Sequence, residues 1–261
     1  MFDKPINDSD LQYWDVSSVT DMRSMLREQQ SFNLDIGNWN VSSVTDMSRM
    51  FENAISFNKY IGDWNVSSVT NMSNMFRACP FNQDISGWDV SLVTDMSYMF
   101  ENASAFNQPI GNWDVSSVTD MSNMFAYVNG FNQDISGWDV SSVTDMSYMF
   151  IMTDAFNQPI GDWDVSSVTD MSFMFYGAVA FNQDLTGWNV SLVPDSLTNF
   201  ATSSPLPTRK FPLFGYNGSQ LKYYPMTNSG ATDPTNSNWQ SNSAPSSATW
   251  IAYRGYITDL A

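Results

Sequence analysis

The chain has 261 residues, 43% of them hydrophobic, and its 27 acidic residues outnumber its 10 basic ones for a formal net charge of −17. This charge argues against a nucleic-acid partner, because phosphate binding needs clustered Lys and Arg, and it also disfavours binding to anionic membrane surfaces. Histidine is absent and Cys79 is the only cysteine. An internal disulfide, a cysteine-based or histidine-based metal site and the usual general base are therefore excluded.

The first residues, MFDKPINDSD, have neither the basic region nor the apolar region of a signal peptide. No stretch approaches the roughly 18 consecutive apolar residues of a membrane span. We therefore expect an intracellular or virion protein, or a segment of a longer secreted chain.

The motif W-(D/N)-V-S-(S/L)-V occurs eight times, and its tryptophans are 25 residues apart except for one interval of 24 between Trp64 and Trp88. A fixed period of this size predicts structural units that stack, because each unit buries its apolar face only against the next. We call each repeat a coil and number the coils 1 to 8 by their tryptophans: Trp14, Trp39, Trp64, Trp88, Trp113, Trp138, Trp163 and Trp188. Residues 1–200 are predicted to form this repeat domain.

The first half of each coil predicts a short parallel strand. In coil 4, Ile85, Trp88 and Val90 follow the apolar spacing of a leucine-rich repeat. A strand over residues 88–90 would turn Trp88 and Val90 inward and Asp89 outward.

The second half of each coil changes period and predicts a helix of one to two turns. Thr94 and Asp95 are favourable N-cap residues, and apolar residues follow at the i, i+3, i+4 and i+7 positions: Met96, Met99, Phe100 and Ala103. The Trp, Met and Phe positions are predicted to form the core, with methionine as adaptable filler.

One asparagine per coil follows a phenylalanine in the segment that returns to the next coil. These residues are Asn33, Asn58, Asn82, Asn107, Asn132, Asn157 and Asn182. We expect them to hydrogen-bond the turn backbone of their own coil and of its neighbour. The missing residue of the 24-residue interval lies beside Cys79, which is expected to fill the place of Ile55 or Ser104 as a small buried side chain.

The repeat pattern ends near Pro194, and residues 201–261 have a different composition. A Ser/Asn/Pro/Thr-rich middle predicts a loop, and the flanking runs FPLFGYNGSQLKYY and TWIAYRGYITDL predict strands. A stack of repeats must cover its last coil. Residues 201–261 are therefore predicted to be a C-terminal cap or a small anchoring segment.

The coil FNQDISGWDVSSVTDMSYMF resembles the BspA-type leucine-rich-repeat surface proteins, over about residues 11–200. The resemblance implies an α/β repeat fold: a right-handed solenoid of about eight coils, each with one short parallel strand and one short helix. It also implies adhesion or protein–protein recognition at a cell or particle surface, with no catalytic residue to transfer. The coils further resemble ones encoded by microalgae and by large viruses that infect them.

An outward ladder of carboxylates and hydroxyls is the candidate binding surface. Its members are Asp89, Ser91, Asp114, Ser116, Asp139, Ser141, Asp164 and Ser166. Stacked carboxylates repel one another, so the aspartates either remain solvated or share a cation such as calcium. No other cofactor is expected.

We therefore expect a non-catalytic adhesion or recognition protein, with a protein or glycan partner, in a cell-surface or extracellular location as part of a longer secreted chain. The alternative is a structural or accessory component of a filament or virion, with self-association as its signature. An enzyme is disfavoured, because the acids repeat identically along the chain instead of forming one convergent constellation.

Overall fold

The structure is a computed structural model that describes residues 9–194, 199–212 and 214, together with three short strands near the C terminus. Outside the coils lie two 3-10 helices, Ser9–Tyr13 and Thr208–Lys210. The strands Lys222–Pro225, Gln240–Ser241 and Trp250–Tyr253 form an antiparallel sheet with the first strand in the centre. The first and third strands each lie at one of the two aromatic runs, which confirms a strand in each run, although Phe211, Pro212 and Phe214 at the start of the first run are not in a strand.

The predicted α/β architecture of the coils is wrong. Over residues 14–194 every coil is a succession of turns, and this described range contains neither an α-helix nor a β-strand. Neighbouring coils are joined by isolated parallel bridges at one position per coil: Asp21, Asp46, Asn71, Asp95, Asp120, Asp145 and Asp170. The coils therefore stack in register without forming a continuous sheet.

The segment predicted as a helix is a run of turns, which we call the turn segment (Ser97–Asn102 in coil 4). The Met99 N–H donates to the Met96 carbonyl within the coil, whereas the Tyr98 N–H donates 2.8 Å to the Ser122 carbonyl of the next coil. Tyr98 and Asn102 have positive φ angles of 59° and 57°, which no right-handed helix contains. The i, i+3 and i+4 spacing arises because turns and helices both bring such residues to one side.

The segment predicted as a strand is also closed by turns. The Trp88 N–H donates to the Ile85 carbonyl and the Val93 N–H to the Val90 carbonyl, so this backbone bonds locally instead of to a neighbouring coil. The predicted directions are nevertheless confirmed, since Trp88 and Val90 are buried and Asp89 is exposed.

The core is a set of continuous side-chain ladders, as the sequence predicts. Phe100 stacks on Phe106 of its own coil at 3.8 Å and on Phe125 of the next coil at 5.8 Å between ring centroids. The tryptophan rings of neighbouring coils, such as Trp39 and Trp64, stack at 6.4 Å. Each buried indole N–H donates to a carbonyl of the preceding coil, as Trp88 Nε1 does to Ile61 O at 3.1 Å, so its polar atom is satisfied.

The predicted asparagine ladder is present and links each coil to the preceding one. Asn107 N–H donates to Asn82 Oδ1 at 3.1 Å, and the same bond joins every pair from Asn33 to Asn182. A threonine ladder was not foreseen. Both the backbone N–H and the hydroxyl of Thr119 donate to the Thr94 carbonyl, so Thr94 belongs to this ladder and not to a helix cap.

Cys79 is a buried filler, as predicted, but its position was assigned one residue too far along the coil. Its N–H donates to the Phe76 carbonyl, the bond that Ala54 makes to Phe51 in coil 2. Cys79 therefore replaces Ala54, and the residue missing from coil 3 is the exposed one that follows. Burial raises the pKa of the Cys79 thiol to about 12, which keeps it protonated and unreactive at neutral pH.

Residues 199–212 continue coil 8 and extend the stack beyond the end of the sequence pattern. The Phe175 and Gly177 N–H groups donate to the Phe200 and Thr202 carbonyls, as turn segments do between coils. Phe200 meets Phe175 edge-on at 5.4 Å and 88°, which ends the parallel aromatic ladder. Lys210 Nζ donates to the carbonyl and side-chain oxygens of Asn182 and terminates the asparagine ladder.

Candidate recognition surface

The predicted outward ladder closes turns within its own coils. In each of its four pairs the serine N–H donates to the aspartate Oδ1, over 3.1 Å in Asp89–Ser91 and 3.0 Å in Asp164–Ser166. In the first three pairs the serine hydroxyl donates to the same oxygen at 2.6 Å. This is the Asx-turn chemistry of an Asp-x-Ser motif.

These hydrogen bonds favour the ionised carboxylates. The Ser91 hydroxyl and then its backbone N–H lower the pKa of Asp89, and the corresponding serines lower the pKa of Asp114 and Asp164. The carboxylate of Asp89 acts on the pKa of Asp114 in the opposite direction, as the smallest cause.

The same motif closes two further turns in coil 4, at Asp84–Ser86 and Asp95–Ser97. Much of the acidic composition is thus accounted for by turn formation. Over the residues that the structure describes, no three acidic or cysteine side chains converge as a metal site. The role of the outward ladder in binding, with or without a cation, stays a prediction.

A second surface differs in chemistry from coil to coil. It consists of three columns of the turn segment in coils 1 to 7, and we call it the variable face. Column A contains Ser24, Arg49, Asn74, Tyr98, Asn123, Tyr148 and Phe173. Column B contains Arg27, Glu52, Arg77, Glu101, Ala126, Ile151 and Tyr176, of which Glu52, Ala126 and Ile151 are buried. Column C contains Glu28, Asn53, Ala78, Asn102, Tyr127, Met152 and Gly177.

Columns A and C have positive φ angles in all seven coils, between 51° and 68°. This backbone aims the side chains of the two columns out of the turn. Because most L-residues reach this region only at a cost of about 1 kcal/mol or more, inter-coil hydrogen bonds must maintain it. The N–H of every residue in columns A and C, from coil 1 to coil 6, donates to a carbonyl of the next coil.

Coils 1 to 4 present a charged half of the variable face, built on column B. Glu52 is only 3% exposed and lies between two arginines: Arg77 Nη1 donates to Glu52 Oε1 at 3.0 Å, and Arg27 Nε lies 2.8 Å from Oε2. The second contact lacks hydrogen-bond alignment and is purely ionic. Arg77 also donates to Glu101, so four successive coils alternate in charge.

Coils 5 to 7 present an aromatic half. Tyr148 and Phe173 stack at 4.8 Å with nearly parallel rings, and Tyr176 lies 5.8 Å from Phe173. In column C, Tyr127 is 43% exposed and Met152 is 36% exposed. We call these five residues the aromatic patch.

Carboxylates border the aromatic half. Asp145 and Asp170 are half-buried bridge partners in neighbouring coils, and each accepts the N–H of the serine two residues later. In coil 4, burial raises the pKa of Tyr98, and the carboxylates of Glu101, Asp120 and Asp145 raise it further. The aspartates at the bridge positions are therefore close enough to column A to affect its electrostatics.

Sequence reasoning did not identify the variable face. The signal was present, because residues 78–208 contain fifteen acidic residues and no Lys or Arg. Aligning the coils by their tryptophans also shows which positions change. These positions lie on one face only because of the turn geometry, and the predicted helix did not place them there.

Two overlapping segments, residues 1–113 and 99–209, match the model of one family, described as Mycoplasma protein of unknown function, DUF285. Since these segments cover most of the chain, the protein belongs to this family. The prediction of a repeat protein is confirmed, although the matching family is related to the BspA-type proteins and does not bear their name. No significant match was found among curated proteins or solved structures. Among the described residues, no helix has the length and apolarity needed to cross a bilayer.

Proposed function

We propose that this protein is a non-catalytic recognition module that binds a partner through the variable face. The supporting observation is where the coils differ. Side chains that bond within the stack recur from coil to coil, as Trp88, Asn82 and Thr94 do. Columns A, B and C instead change in charge, size and aromaticity. Repeat proteins bind in this way, with a constant scaffold that carries a varied exposed surface.

The distribution of acidic groups supports a role without catalysis. An active site needs a unique set of titratable groups that converge on one reacting centre. In this protein the aspartates recur at equivalent positions, and most close a turn of their own coil. These carboxylates accept backbone hydrogen bonds that stabilise the turns.

The proposed setting is the surface of a cell or particle, where a long array of stacked coils can present a broad face. The resemblance of the coil motif to BspA-type surface proteins supports adhesion as the biological role. Accordingly, the partner is a protein or glycan displayed on an opposing surface.

The test is an array of short peptides and glycans probed with the labelled full chain and two variants. The face variant carries Tyr127→Asn, Tyr148→Asn, Met152→Asn and Phe173→Asn. Asparagine is tolerated at these positions, since columns A and C already contain it with positive φ. The ladder variant carries Asp89→Asn, Asp114→Asn, Asp139→Asn and Asp164→Asn, because Asn40 and Asn65 already close the same turn.

We expect the wild-type chain to bind a reproducible set of probes, the face variant to lose that set and the ladder variant to retain it. Loss of binding in the ladder variant alone would show that the outward ladder is the binding surface, and it would overturn the proposal. Equal binding by all three chains would exclude both surfaces.

A further inference from the structure

We infer that the aromatic half of the variable face binds a polypeptide segment that carries arginine or lysine. This inference rests on the proposed function and narrows it to one class of partner. Three observations support it: the aromatic patch, in which Tyr127 and Met152 are exposed and the other three residues are half-buried; the carboxylates beside it; and an arginine that bridges the same carboxylate column in coils 1 and 2.

The first step is the chemistry of the patch. Tyr148 and Phe173 lie in parallel at 4.8 Å, and Tyr127 and Met152 are at least one-third exposed. Ring faces attract guanidinium and ammonium groups, with guanidinium the more frequent partner. Neighbouring carboxylates strengthen that attraction, and Asp145 and Asp170 occupy the adjacent column of the same two coils.

The second step is the charge balance of this region. The four arginines of the coils are Arg23, Arg27, Arg49 and Arg77, all in coils 1 to 3, and no basic residue follows until Arg209. Carboxylates in coils 5 to 7 therefore have no cation from their own coils. A basic segment complements this surface, whereas an acidic or purely apolar one does not.

The third step is the internal precedent. Asp21 and Asp46 are bridge partners in the column that later contains Asp145 and Asp170. Arg23 spans this first pair, with Nη2 at 2.7 Å from Asp21 Oδ2 and Nε at 3.5 Å from Asp46 Oδ2. Asp21 Oδ1 still accepts the Arg23 backbone N–H at 2.9 Å, so an aspartate that closes its turn can also bind a guanidinium.

In coils 6 and 7 the position of Arg23 is occupied by Ser147 and Ser172, which are too short to provide such a cation. A guanidinium from a partner would span Asp145 and Asp170 and rest beside Tyr148 and Phe173. From coil 4 to coil 7 the face extends about 15 Å, which matches an extended segment of about five residues. A second copy of this chain is a poor occupant, because its net charge of −17 repels its equal.

The experiment measures fluorescence anisotropy of a labelled peptide that alternates Arg and Ser, titrated with the full chain at low and physiological salt. Matched peptides replace Arg by Lys, Gln or Glu. The charge variant carries Asp145→Asn and Asp170→Asn, and Asn71 shows that asparagine closes the turn of this column. The ring variant carries Tyr148→Asn and Phe173→Asn. The control variant carries Asp139→Asn and Asp164→Asn, with the same change in net charge on the outward ladder.

We expect the Arg peptide to bind the wild-type chain, the Lys peptide to bind more weakly and the Gln and Glu peptides not to bind. The ring and charge variants should each weaken binding by about fivefold to tenfold, and the control should stay within about twofold. Equal weakening by the control would reduce the effect to general attraction by net charge and overturn the inference.

The failure of this inference is distinguishable from failure of the proposed function. Binding of neutral or acidic probes that is lost in the face variant would overturn only the cationic partner. Self-association of the peptide-free chain, seen by light scattering and abolished in the ring variant, would assign the patch to a second copy instead. Absence of Arg-peptide binding at low salt would also overturn the inference.

Discussion

The charged half and the aromatic half of the variable face share one scaffold and differ only in what it displays. From coil 2 to coil 7 the same Phe and Met positions are fully buried, and the same alternation of local and inter-coil hydrogen bonds forms the turn segment. Column B nevertheless changes from Arg27, Glu52, Arg77 and Glu101 to Ala126, Ile151 and Tyr176. The core and backbone thus leave the chemistry of this face free to vary.

The largest expected effect tests whether the two halves have equivalent cores. Phe76→Ala and Phe150→Ala each remove a fully buried ring from the phenylalanine ladder. Each should lower the free energy of unfolding by about 4 kcal/mol, from lost burial and the cavity left behind. Urea unfolding followed by tryptophan fluorescence and far-UV circular dichroism measures both. A cost near zero for only one of them would show that the halves are not built alike.

A smaller effect should be confined to the charged half. Glu52→Ala leaves Arg27 and Arg77 without their shared buried partner, and should cost about 2 kcal/mol because both arginines retain some solvent contact. A second variant replaces all four charges of column B, with Arg27→Ala, Glu52→Ile, Arg77→Ala and Glu101→Ile. Its free energy of unfolding should stay within about 1 kcal/mol of wild type.

Thermal and urea unfolding of these two variants would decide the role of the four charges of column B. If the fourfold variant were less stable than Glu52→Ala, these charges would stabilise the fold itself. If the fourfold variant is the more stable of the two, as we expect, the four charges do not stabilise the fold. Removal of one of them then destabilises because it leaves the others unpaired.

The next prediction compares column C in the two halves, where two substitutions should change the free energy of unfolding in opposite directions. Ala78 in coil 3 has a φ of 51°, so Ala78→Gly should relieve strain and stabilise by up to about 1 kcal/mol. Gly177 in coil 7 has a φ of 68°, which an alanine would adopt only with strain, and a Cβ there would also displace the flexible Met152 side chain. Gly177→Ala should therefore destabilise by about 1 to 2 kcal/mol. Two changes of the same sign in chemical unfolding would contradict this interpretation.

The smallest effect emerges only on acidification and spans both halves. Since the folded-state pKa values of Asp89, Asp114 and Asp164 are lowered, their contribution is present above the unfolded value of about 3.9 and is lost as the pH falls through the folded values. The variant Asp89→Asn, Asp114→Asn and Asp164→Asn should therefore lose less stability than wild type between pH 6 and pH 3. Parallel urea midpoints for the two chains would contradict this assignment.

Burial was predictable because it depends on the repeat alone. A tryptophan every 25 residues must stack on its equivalents, and Trp88, Val90, Met96 and Phe100 are indeed buried. The asparagine ladder was predictable for the same reason, since a turn residue that recurs in register meets its own copy in the next coil.

Secondary structure was not predictable from this pattern, because turns and helices share the i, i+3 and i+4 spacing. What separates them is the destination of alternate N–H groups. Tyr98 and Asn102 donate to carbonyls of the next coil, and no local pattern reports a bond between residues 24 positions apart. The strand prediction failed similarly, since Asp89 bends back to close a turn with Ser91.

The sequence by itself therefore determined the repeat, its register and its buried side, since all of these follow from periodicity. Tertiary structure alone decided that the coils are stacked turns and that columns A, B and C meet on one face. The physical reason is that backbone hydrogen bonds between coils maintain the positive φ angles of columns A and C, and those angles direct exposed side chains such as Tyr127 and Met152 outward.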